Sequence, residues 1–312
     1  MAEPIAVLLM AYGGPDKLED VEPYLLDVRG HRPTPAHIVD EVKHRYQLIG
    51  GRSPIRERTQ AQAQALVEAL KRQPGDFRLF VGMRHWHPFL AEALDQILEA
   101  GLQRIVGLVL APHYSRLSVE AYYDRLQEAI DQKAARVELA AIHSWKLDPG
   151  FLTSLEQRIQ AGLQAFDEQV RPQVHLVFTA HSLPERILEW DDPYPNELAA
   201  TYQALRQRFS DQPAHFAYQS AAMTPEPWLG PDAGDLMEQL IRAGEAESFL
   251  VVPIGFVSEH VEILYDIDIE FKQRVQAAGG ILRRIEMPGA SRPLMDSLAQ
   301  LIVSRAEQAG WL

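Results

Sequence analysis

Cysteine is absent from all 312 residues. That absence excludes disulfides, zinc–thiolate centres, iron–sulfur ligation within this chain and cysteine nucleophiles. Any metal must therefore be held by histidine, carboxylate or tyrosine. Positive charge is scarce as well: 30 Lys and Arg stand against 43 Asp and Glu, a formal charge of -13. With no basic stripe to serve as a footprint, neither nucleic acid nor an anionic membrane is expected as the main partner. Long apolar runs are also missing, since none approaches the roughly 18 residues of a membrane span. The first such run, Ile5 to Met10, lacks a basic flank and ends in a glycine turn, which suits a first β-strand better than a secretory signal. A soluble cytoplasmic protein is the expectation.

What is present is ordinary globular composition, 46% hydrophobic and 23% charged, long enough for about two domains of ~150 residues. Continuous apolar runs bounded by turn residues predict strands at Ile5 to Met10, Arg78 to Val81, Ile105 to Leu110, Val137 to Ile142, His175 to Thr179, Phe216 to Tyr218, Phe249 to Ile254 and Ile281 to Ile285. Amphipathic periodicity predicts helices at Thr59 to Lys71, Pro88 to Ala100, Val119 to Gln132, Gly150 to Phe166, Ala233 to Ala243 and His260 to Ala277. Such alternation implies an α/β fold with parallel sheets buried on both faces, and functional groups at the carboxyl ends of strands.

The chain also repeats itself. Leu94 to Gly101 answers Met237 to Gly244, each just before a strand, and Val119-Glu120-x-x-Tyr123-Asp124 answers Val261-Glu262-x-x-Tyr265-Asp266. Near the start of each half a strand ends in Ala11-Tyr12-Gly13-Gly14-Pro15 or Ala180-His181-Ser182-Leu183-Pro184. Three matches in one order imply a duplicated domain, divided as 1–148 and 149–312, with Tyr12 and His181 at equivalent strand ends. A ligand cleft between the halves is the expected place for a site.

Four features carry possible chemistry. His181 at a strand end is either a satisfied structural residue or an imidazole that binds metal or takes a proton, both of which need its neutral form. Glu262, Asp266 and Glu270 follow one another at helical spacing opposite an apolar side of Leu264, Ile267, Phe271 and Val275. That row is either a solvated acidic face or a path along which a partly hydrated divalent cation exchanges one carboxylate for the next. Arg45 through Gly50-Gly51 to Arg52-Ser53-Pro54, with Arg29 and Arg32 upstream, is either a solvated loop or a place for bidentate pairing with carboxylate or phosphate. His85 and His87 face one side if extended, but no third metal ligand lies near them in sequence. Ser182 lacks the nucleophile elbow of a hydrolase.

Together these segments resemble the ferrochelatases, which insert ferrous iron into a porphyrin. The matching pieces are Met10 to Pro15, Arg45-Tyr46 through Ile49-Gly50-Gly51 to Ser53-Pro54, Ala111-Pro112-His113-Tyr114-Ser115, Ala180 to Pro184, Tyr218-Gln219-Ser220, Pro227-Trp228-Leu229-Gly230-Pro231, and Gly255-Phe256-Val257-Ser258-Glu259-His260-Val261-Glu262 with Leu264-Tyr265-Asp266 and Asp268. The resemblance implies two similar Rossmann-like, chelatase-type domains with parallel sheets around a porphyrin cleft. It implies catalytic roles for His181, Glu262 and Tyr12, and metal contacts from His181, Glu262, Asp266 and Glu270. Propionate contacts fall to Arg29, Arg45, Ser53 and Tyr122. It implies that ferrous iron is a substrate, that no prosthetic group is required, and that a haem-receiving or iron-donating protein visits transiently; a monomer is expected. The polar segment Tyr24 to Val42, with Arg29, His31 and Arg32, suits the four carboxylates of coproporphyrin III. Protoporphyrin IX is the alternative substrate, and a non-catalytic haem or metal carrier the alternative role.

Overall fold

Strand β1 (Ile5–Ala11) reads IAVLLMA, and all seven residues are buried. A segment apolar at every position fits only inside a parallel sheet covered on both faces. It pairs in parallel with β2 (Phe77–Met83) and β3 (Arg104–Val109), and β3 pairs with β4 (Glu138–Ile142), in the order β2-β1-β3-β4. The second sheet repeats this plan with β5 (His175–His181), β6 (Ala214–Gln219), β7 (Ser248–Pro253) and β8 (Ile281–Arg284) in the order β6-β5-β7-β8. The structure, a computed structural model, describes residues 3–222 and 224–312.

The connections repeat as well. Between β1 and β2 run α1 (Val21–Val28), α2 (Ala36–Leu48) and α3 (Ile55–Leu70); α4 (Leu90–Glu99) leads to β3 and α5 (Ala121–Gln132) to β4. After α6 (Pro149–Gln164), α7 (Tyr194–Arg208) joins β5 to β6, α8 (Ala233–Arg242) leads to β7, α9 (Lys272–Ala277) to β8, and α10 (Arg292–Gln308) closes the chain. The repeated glycines end matching helices: Gly101 after α4 and Gly244 after α8 have φ of 72° and 69°, the left-handed turn that a residue with a β-carbon resists at a helix end. The third strand of each sheet is followed by a π-helical segment, Arg116–Glu120 before α5 and Glu262–Phe271 before α9.

Each sheet buries its faces by the alternation expected of strands. Ala6, Leu8 and Met10 of β1 pack with Leu94 and Ile97 of α4 and Leu126 of α5. In the second sheet Val177, Phe249 and Val251 pack with Met237 of α8 and with Ile263, Ile267, Phe271 and Val275. That apolar row advances by four residues each time, whereas the α-helical expectation began it at Leu264, which is partly exposed here. The i→i+5 bonding of a π-helix widens the turn, so residues four apart stay on one side.

By compactness the chain divides into Met1–Gly150 with Gly289–Leu312, and Phe151–Pro288. This differs from the expected division at 1–148 and 149–312 in the C-terminal segment, which belongs with the first unit. The reason is α10, whose apolar side of Leu294, Leu298, Ile302 and Ala306 is buried against α3. Arg305 donates to the Ala141 carbonyl at 3.0 Å and Trp311 Nε1 to Glu138 at 3.0 Å, tying the segment to β4. Among the described residues no helix is long and apolar enough to cross a membrane.

At the start of α6 the backbone touches α10: Gly150 N–H donates to Ser297 Oγ at 3.3 Å, and a β-carbon at Gly150 would run into the Pro293 carbonyl and Ser297 Cβ. Gly150→Ala should therefore destabilise the protein by about 1–3 kcal/mol through overpacking against backbone. A denaturant midpoint equal to that of the parent would contradict this contact.

Candidate active site

His181 is the last residue of β5 and stands opposite Gln219 of β6 in register. Its Nδ1 meets the Ser182 carbonyl, which only accepts, so Nδ1 carries a proton and Nε2 is left facing Glu262 Oε1 at 3.3 Å. Tyr194 donates its hydroxyl to the His181 carbonyl at 2.9 Å, fixing the strand end. The ring lies among Trp228 and Phe256, with centroids 6.5 and 6.4 Å away. The His181 and Glu262 side chains keep 30% and 33% of their surface, so the pair is open to a ligand. Burial pushes the imidazole pKa down, but the Glu262 charge and hydrogen bond, the Ser182 carbonyl and the Asp266 charge outweigh it and push the group up to about 9. At neutral pH the pair is an imidazolium beside a carboxylate.

Glu262 opens the π-helical segment. Its backbone N–H donates to His260 Nδ1 at 3.2 Å, and its carbonyl accepts from Gln219 Nε2 at 3.3 Å. Gln219 is itself oriented by Thr179, whose hydroxyl donates to Gln219 Oε1 at 2.7 Å. Ser220, at a left-handed φ of 62°, donates its hydroxyl to Asp266 Oδ2, and Asp266 is buried. Asp268 takes two bonds from Arg284, both at 2.8 Å. Of the four residues expected to handle metal, the structure brings His181 and Glu262 into direct contact, turns Asp266 toward Ser220, and leaves Glu270 partly exposed farther along the helix. Among the described residues no group of three or more His, Asp and Glu side chains is arranged to hold a metal ion. Gln219 and Ser220 were not expected as site residues; their only sequence signal was the Tyr218-Gln219-Ser220 match.

In the first unit Tyr12 follows β1 with 38% of its surface exposed, its ring centroid 4.6 Å from that of His85. Tyr122 is buried beneath the Arg84 guanidinium, 5.4 Å from its ring centre. Ser53 is buried where the chain enters α3: its N–H donates to the Pro15 carbonyl at 2.9 Å and its hydroxyl accepts from Ile55 N–H at 3.4 Å. Arg45 pairs with Glu41 one turn back on α2 at 2.7 Å. Arg29, just past α1, is exposed, and its carbonyl accepts from Arg32 Nε at 3.1 Å. His85 and His87 do not form a pair: His85 is buried against Asp27 at 2.7 Å, and exposed His87 meets Glu92 at 2.9 Å. The segment bends after β2, so the extended geometry that would align them is missing.

The ferrochelatase family model matches residues 4–306. A Deinococcus radiodurans protein named ferrochelatase is 37% identical over 308 residues, covering 98% of this chain and 97% of its own length. A coproporphyrin III ferrochelatase of Geobacillus kaustophilus is 38% identical over 310 residues, covering 97% of this chain and 96% of its own. Among solved structures, SirB from Bacillus subtilis with Fe3+ is similar with a TM-score of 0.63 at 9% identity, over 99% of this chain and 98% of that one. At that identity the likeness bears on the fold alone.

The raised pKa of His181 has a measurable consequence. A proton held more tightly by the folded than the unfolded chain stabilises fully below the ordinary pKa of 6.5 and loses its contribution as pH rises through about 9. The imidazole should titrate near 9 by NMR, and Glu262→Gln should lower that value. The stability gap between parent and variant should narrow from pH 6.5 upward. A parent imidazole that titrates at or below 6.5 would remove the ion pair.

Proposed function

The chain belongs to the ferrochelatase family, and we propose that it inserts ferrous iron into coproporphyrin III to give coprohaem. The observation that carries this reading is the His181–Glu262 pair at the open end of β5, 3.3 Å apart, at the head of a helix that also bears Asp266 and Glu270. Insertion exchanges one dication for two pyrrole protons and moves no electrons, so the enzyme must accept protons where positive charge arrives. An imidazolium and carboxylate in contact suit that exchange. The approaching dication lowers the pair's affinity for its own proton, which passes to solvent; the neutral imidazole and the carboxylate that remain, with one negative charge between them, can each take one of the two pyrrole protons. Asp266 and Glu270 lie on the same helix at steps of four residues, a spacing that suits transfer of hydrated iron between oxygen ligands.

A flat porphyrin shields its nitrogen lone pairs, so a protein that holds it saddled exposes two N–H groups to a base and two nitrogens to iron. In this reading Tyr12 bears on the macrocycle, while Arg29, Arg45, Ser53 and Tyr122 hold propionates, and the strain is offset by those remote contacts. Exposed Arg29 and the polar segment around it support coproporphyrin III, with four carboxylates, over protoporphyrin IX, with two. Iron enters only as substrate, and the chain supplies no thiolate for a cluster.

Anaerobic incubation with ferrous iron and each porphyrin, followed by loss of porphyrin fluorescence, tests the activity; no acceleration with either substrate would sink it. His181→Ala should abolish turnover with porphyrin binding retained, and a carrier would instead tolerate Glu262→Gln. Arg29→Ala and Arg45→Ala should each raise KM for coproporphyrin III on the order of tenfold, the worth of one charged hydrogen bond, and affect protoporphyrin IX less. Equal losses for both porphyrins would contradict the assignment of the tetracarboxylate.

A further inference from the structure

Next to Tyr12 lies a charged network without a task in the reaction so far. Asp27 from α1, His85 from the bend after β2 and Arg125 from α5 meet with side chains 14%, 6% and 30% exposed. Arg125 grips both oxygens of Asp27, at 2.8 and 2.9 Å, and also reaches the Arg84 carbonyl. Asp27 Oδ1 then lies 2.7 Å from His85 Nδ1. An ionised carboxylate only accepts, so that short contact requires the proton on Nδ1. Arg125 stands 3.4 Å from the same nitrogen; since it too is only a donor, it lies alongside without a hydrogen bond to it. Burial, together with the charges of Arg84 and Arg125, holds the imidazole down at about 4 despite Asp27, so the ring is neutral at working pH.

The tautomer is thereby settled: Nδ1 is the donor and Nε2 the acceptor. The Tyr12 ring lies against this imidazole at 4.6 Å and 55°. Stability alone is a poor reason for such a group, because a buried ion pair is often no more stabilising than apolar residues of the same volume. A carboxylate that orients a histidine, itself oriented by an arginine, is a recurrent way to fix one ring in one plane and one protonation state.

We propose that Asp27, clamped by Arg125, is a positioning residue for iron insertion: it sets the tautomer and ring plane of His85 and so fixes the Tyr12 ring that rests on it. The proposal rests on the chelatase reading, and its test separates the two. Side-chain 15N NMR and steady-state insertion kinetics are compared for the full-length parent, Asp27→Ala and Asp27→Asn. In the parent, His85 should show the Nδ1–H tautomer and no titration across about pH 5.5–8. Asp27→Ala should move the proton toward Nε2 and lower kcat on the order of 10- to 100-fold, with KM nearly unchanged. Asp27→Asn keeps an accepting oxygen and should restore the tautomer and most of kcat. An unchanged tautomer in Asp27→Ala, an unchanged kcat, or a rise in KM alone would overturn the proposal, the last because it would make Asp27 only an anchor for α1 and Arg29. If Asp27→Ala fails to fold, Arg125→Gln, which leaves Asp27 unclamped, is read in the same way. A parent without insertion activity overturns the chelatase reading itself, and this role with it.

Discussion

An imidazole that burial would strip of its proton keeps it because carboxylates face it. His181 sits at the end of a buried strand, and the charges of Glu262 and Asp266 outweigh the cost of its desolvation. The balance depends on placement to within a bond length, and the surrounding structure supplies that placement. Parallel pairing sets His181 opposite Gln219; Thr179 orients the Gln219 amide, the amide holds the Glu262 carbonyl, and Ser220 holds Asp266. A slip of one residue between β5 and β6 would turn Gln219 to the other face of the sheet and away from both Thr179 and the Glu262 carbonyl.

The two units show how one plan takes on different chemistry. Both place the first strand between the second and third, and both follow the third strand with a π-helical segment. At the end of the first strand one unit carries Tyr12 and the other His181. Glu120, the repeat counterpart of Glu262, lies 3.5 Å from His143 just after β4, so its imidazole neighbour comes from the fourth strand instead of the first. The imidazole next to Tyr12 is held neutral by its surroundings, while His181 is held charged. The same side chain is thus shifted in opposite directions in the two units, down where burial is joined by guanidinium charges and up where carboxylates outweigh burial.

Much of the fold was legible because its signals are local. Each of the eight expected strands has a counterpart within a few residues, since parallel strands read as unbroken apolar runs. The repeated Leu94 to Gly101 and Met237 to Gly244 segments became α4 and α8 with their closing turns. Helix α10 has regular apolar spacing but lies outside the expected helices, and no local signal marks the return of the chain to the first unit. Helix α7 was harder to read, because Glu197 and Thr201 are on its buried side and blur the periodicity. The π-helical winding was invisible, since carboxylates four apart fit an α-helix equally well; only the burial of Ile263 in place of Leu264 distinguishes the two.

By itself the sequence determined the fold class, the duplication and the exclusion of thiolate chemistry, because each follows from residue type, order and spacing along the chain; His181 and Glu262 were marked as partners only by the resemblance to the ferrochelatases. Tertiary structure decided the rest. It turned Asp266 toward Ser220, parted His85 from His87, and brought Asp27 and Arg125, far apart in sequence, onto one imidazole. Those outcomes depend on which side chains meet across elements and on how far burial lowers the local dielectric, and neither is written in the local pattern of the chain.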